Sequence, residues 1–115
     1  MSVDVEVWVR RVEQVRPALF TASEEWQDDE GGELALVRDE WQLLVGSPEP
    51  ADVGDADPAI AGYLDGSEQL IGIALEPIGA PFEAFSLLSE VVTLLVNRCG
   101  GAAIDVETGD GLSAP

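Results

Sequence analysis

Acid–base and nucleophilic catalysis near neutral pH need groups that titrate or form bonds there, and this chain has few of them. It contains no His and no Lys; its five basic residues are all Arg, set against 23 Asp and Glu. Cys99 is the sole thiol. It closes an apolar segment that reads as a helix, where the dipole disfavours a thiolate and no His stands by to activate it. Cys99 therefore reads as a buried structural residue. Ser86 and Ser89 also lack a His or Lys partner and read as the polar side of the same helix.

Carboxylates remain. A pair held about 5–9 Å apart across a cleft can hydrolyse glycosides. Among 23 acids some pair meets that spacing by chance, so the pattern selects nothing. Asp52, Asp55 and Asp57 suggest calcium. However, Pro58 and Ala59 follow Asp57, and no Gly or closing Glu falls where an EF-hand loop needs one. Glu24, Glu25, Asp28, Asp29 and Glu30 read as a solvated acidic run. A single Cys excludes a Cys-based zinc site and an intrachain disulfide. Gly31-Gly32 precedes a strand pattern and Gly100-Gly101 follows a helix pattern, so neither is the strand-to-helix loop that cradles phosphate. The expectation is a non-enzymatic protein with no metal and no cofactor.

The formal net charge is −18 over 115 residues. With so few bases to neutralise phosphates, nucleic acid is not an expected partner. A hydrophobic fraction of 46% is too high for disorder, so the chain can build a core and carry its acids outside. The acidity has three readings: solubility, a surface matched to a basic protein, or a salt-adapted proteome. No run of ~18 apolar residues is present, so no membrane span is expected. Residues 1–10 alternate polar with apolar and do not read as a signal peptide. With one Cys, the expected location is the cytoplasm.

These residues must be positioned by a single domain, 1–115. Residues 3–10 alternate strictly, Val on one face and Asp4, Glu6, Trp8 and Arg10 on the other, as a half-buried strand does. A helix is expected from Pro17 to about Gln27, with Leu19, Ala22 and Trp26 on one side. Residues 33–38 and 41–46 read as two strands joined by a tight hairpin at Asp39-Glu40. About 46–57 is an acidic loop, and Asp57-Pro58 opens a short helix to about Leu64. The apolar run 70–75 suits a central strand covered on both faces. Phe82 to Cys99 is the clearest helix; Glu83, Ser86, Glu90, Thr93 and Asn97 form one polar stripe along it. Residues 102–107 alternate as a last strand, and about 108–115 is a polar tail. The fold class predicted is an α+β two-layer sandwich. It would be a ferredoxin-like variant, with a mixed or antiparallel sheet of about five strands and two main helices on one face.

A two-layer fold covers one sheet face only. Trp8, Trp41 and the leucines beside them would then be exposed among acids, as at an interface. Alternatively the acidic loop, the short helix or the tail folds over that face and makes Trp8 core. The candidate partner-binding residues are Glu6, Trp8, Asp28, Asp29, Glu30, Asp39, Glu40 and Trp41. The function expected is binding a basic protein partner, as acidic immunity and antitoxin proteins do. The alternative is a homo-oligomeric structural domain, with the open face buried between copies and the acidity serving solubility or salt adaptation.

Overall fold

The computed structural model describes residues 3–28, 32–76, 79–105 and, as backbone, 111–113. In chain order the elements are β1 (Val3–Val9), α1 (Val15–Ala22), β2 (Gln27–Asp28), β3 (Leu34–Val37), β4 (Gln42–Val45) and β5 (Glu49–Pro50). Then follow α2 (Pro58–Ala61), β6 (Gln69–Glu76), α3 (Phe82–Cys99), β7 (Gly101–Asp105) and β8 (Gly111–Ser113). Single 3₁₀ turns at Val12–Gln14 and Val53–Asp55 lie in the connections.

The strands form one open antiparallel sheet in the order β2-β3-β4-β6-β1-β7-β8, with β5 also paired to β6. β6 and β7 are both antiparallel to β1, which lies between them, and α3 carries the chain from one to the other. The α+β class and the antiparallel sheet are as the sequence predicts. The expected count of about five strands gives way to a larger sheet. Short strands at 27–28, 49–50 and 111–113 form where helix, loop and tail were expected, because each runs beside a longer strand with unpaired backbone groups.

Alternation along β1 and β6 divides the protein into two clusters. Val5, Val7, Val9, Ile71, Ile73 and Leu75 point to the face covered by α1 and α3. There they meet Leu19 of α1 and Leu88, Val91, Val92 and Leu95 of α3. Trp8 points the other way and packs with Ala102, Ile104 and Ile60 of α2, beside Ala51, Ala56, Leu64 and Leu70. A second, smaller core therefore lies behind the sheet.

Helix boundaries follow local chemistry. α1 tolerates Pro17 in its first turn, where the missing N–H has no partner to lose. It stops at Ala22 rather than near Gln27, because Ser23 is extended and its N–H closes the last turn on the Leu19 carbonyl. Trp26 then folds back, and its Nε1 donates to the same carbonyl at 2.8 Å. α2 begins as Asp57-Pro58 predicts, with the Asp57 carboxylate accepting from the Ala59 N–H at 2.9 Å, but it ends at Ala61. α3 spans the predicted residues, and Gly100 follows it at φ +74°. Among the described residues no helix is long and apolar enough to cross a membrane.

Candidate functional site

The outer sheet face is covered over Trp8 and opens beyond it. Register explains where. β4 pairs with β6 from Gln42↔Glu76 to Val45↔Ile73, and β5 resumes at Glu49↔Leu70. Residues 46–48 thus face only 71 and 72 on β6, so this edge bulges by one residue. At the bulge the Gly46 N–H donates to the Gly72 carbonyl at 2.8 Å. The outward residues of β6 are Leu70, Gly72 and Ala74; Leu70 and Ala74 are half-buried and Gly72 is exposed. The coverage expected on both faces of this strand therefore fails at its centre, since α2 and the 51–56 segment reach only the Trp8 end.

A groove of about 660 Å³ results. β6 is its floor, with Leu44 beside it. On the β1 side stand Asp4, across from Ala74, and Glu6, across from Gly72. On the far side stand Glu33, Ser47 and Glu49, the last directly across from Leu70. Two strand spacings separate β1 from β4, so the walls are about 10 Å apart at the backbone. Among the described residues, the four ionisable ones lining the groove are all acids.

The predicted site residues do not converge. Glu6 lines the groove. Trp8 does not; it is 1% exposed and belongs to the small core under α2. Expecting it at an open interface is corrected, because the chain after β5 returns over its end of the sheet. The indole Nε1 of Trp8 has no hydrogen-bond partner among the described residues. Trp41 is also buried, in the helix-side core, with the Arg38 guanidinium 5.8 Å from its ring centre. Asp39 and Glu40 are exposed at the predicted hairpin tip, closed by the Arg38 N–H donating to the Trp41 carbonyl. Asp28 is exposed and takes both guanidinium nitrogens of Arg16, at 2.8 and 3.0 Å. Those hydrogen bonds hold its carboxyl below the usual carboxylate range. Asp29 and Glu30 lie outside the described residues.

The described acids between Glu24 and Glu68 play several different parts. Glu25 pairs with Arg38. Asp52 and Asp57 accept from backbone N–H groups at the starts of the turn and helix that follow them. Glu68, 4% exposed, is internal. It accepts from Arg10 Nε at 2.8 Å and from the Asp65 and Gly66 N–H groups, tying the end of β1 to the 65–68 loop. Arg10 also donates to the Tyr63 carbonyl. Sequence reasoning missed Glu33 and Glu49 as groove residues. Their signal was weak: only the two-residue period carried across a bulge puts them on one face with Glu6. Phe82, outside the groove, stands 83% exposed at the start of α3.

Cys99 is buried, as expected, and burial pushes its thiol up to about 11 despite the opposing pull of nearby Arg11 and Arg98. Comparison with protein-family models, with curated proteins and with solved structures found no match to this chain.

Proposed function

We propose that this chain is a small acidic, non-enzymatic binding domain that receives a basic protein partner in the outer-face groove, in the manner of an immunity or antitoxin protein. The observation that carries this reading is the groove itself: an apolar strand floor with carboxylates on both sides and, among the described residues, no base in its lining. A net charge of −18 would draw a basic partner in, and a concave apolar floor would give it area to bury. The free, buried Cys99 suits a reducing compartment such as the cytoplasm. We also read the central strand order β4-β6-β1-β7, with α1 and α3 on one side, as a ferredoxin-like core to which a hairpin strand has been added.

The test uses the partner recovered by affinity capture from the native cell, with association rates measured against salt. Glu6, Glu33 and Glu49 are changed together to Gln. In a control, Asp39→Asn, Glu40→Gln alters the hairpin tip instead. The groove variant should associate about tenfold more slowly at low salt and show a flatter salt dependence, the control much less. Equal rates for wild type and groove variant, or equal losses in groove variant and control, reject the groove as the binding surface.

A further inference from the structure

Gly72 sits in the interior of β6, where glycine destabilises a strand by about 0.5–1 kcal/mol relative to Ala. It lies across from the bulge at residues 46–48, but neither its backbone angles nor crowding at its own position requires a glycine. Its φ is not positive, and among the described residues no heavy atom beyond its own two chain neighbours lies within 4 Å of where a Cβ would stand. A side chain would fit and would fill the centre of the groove floor. Besides marking bulges, glycine inside a strand marks sites where a ligand or another backbone approaches closely.

Resting on the reading above, we propose that what approaches is a single arginine side chain of the partner, carried on an extended segment and laid along β6 over Gly72. Leu70 and Ala74 flank the bare position and offer apolar surface to the aliphatic stem. Glu6 faces Gly72 from β1, and Glu33 and Glu49 stand on the opposite wall, so a cation meets carboxylates on either side. Arginine fits better than lysine on two counts. Its planar, weakly hydrated guanidinium can lie flat on exposed peptide, and its fork can bind a carboxylate through two hydrogen bonds. A groove of about 660 Å³ has room for more than one side chain, hence the extended segment.

The probe is the capped pentapeptide Ala-Val-Arg-Val-Ala, titrated into ¹⁵N-labelled protein, with matched peptides carrying citrulline or Lys at the centre. The Arg peptide should shift the amide resonances of residues 70–74 and Glu6. The citrulline and Lys peptides should bind about tenfold more weakly, the scale of one lost charge-assisted pair. Gly72→Val should fold with undiminished stability, keep every charge and lose the Arg peptide by about tenfold or more; Gly72→Ala serves if the valine variant does not fold. Unchanged binding by the Gly72 variant, or equal binding of the Arg and Lys peptides, overturns the inference. If that happens while the captured partner still depends on Glu6, Glu33 and Glu49, the proposed function stands without it. If the partner ignores those three residues, both fall.

Discussion

Gly101 shows how much one missing Cβ decides at the residue scale. Its φ is +111°, and a Cβ there would stand 1.8 Å from the Trp8 carbonyl oxygen, across the β1–β7 ladder. Gly100-Gly101 was legible as a helix stop. That the second glycine lets β7 close on β1 was not, because Trp8 is far away in sequence. Gly101→Ala should lower stability by about 2 kcal/mol or more in urea unfolding, since it adds a backbone clash to left-handed strain. A loss below about 0.5 kcal/mol, the range of an ordinary surface change, would contradict that. Cys99 teaches a related lesson. Its poor thiolate was read from the helix dipole, but burial is the main cause of its raised pKa. Glu68 is internal, and no local pattern in the sequence marks the Arg10 it reaches from 58 positions away.

At the scale of elements, periodicity was a good guide and length a poor one. β1 and α3 emerged from their periods and β6 from an unbroken apolar run, because each buries a full face of its element. α1 and α2 end earlier than their patterns suggest, because the chain turns back to bury Trp26 in one case and to reach the loop around Glu68 in the other. The most consequential short element is α2. It has four residues, yet its Ile60 closes the small core over Trp8. Ile60→Ala should cost about 2–4 kcal/mol and open that core. In 5-fluorotryptophan-labelled protein, one of the three fluorine resonances should move and gain a solvent isotope shift. If none of the three responds, α2 is not what shields Trp8.

For the whole molecule the governing quantity is charge. Eighteen excess negative charges on 115 residues repel one another over a Debye length of about 8 Å at physiological salt. The described ion pairs, Arg10 with Asp65 and Glu68, Arg16 with Asp28 and Arg38 with Glu25, use three of the five arginines and leave most acids in excess. Stability should therefore rise with sodium chloride from low ionic strength to about 0.5 M, read as an increasing urea midpoint at constant slope. A midpoint that stays flat or falls would mean that self-repulsion does not limit this fold. The same excess is what would draw in the arginine proposed for the groove, so that association should weaken over the range in which the fold gains stability.

The sequence by itself determined the α+β class, the three long elements, the cap at Asp57-Pro58, the hairpin at Asp39-Glu40 and the lack of His and Lys. Composition is read directly, and the rest follows from patterns and hydrogen bonds between residues near in the chain. Only the tertiary structure decided which half of the outer sheet face is covered. It seated Trp8 under α2, left Gly72 bare, and brought Glu6, Glu33 and Glu49 around one groove. Those outcomes depend on strand register, on a one-residue bulge and on where the chain returns after β5. No spacing within a single segment encodes them, because the interactions that settle them join residues tens of positions apart.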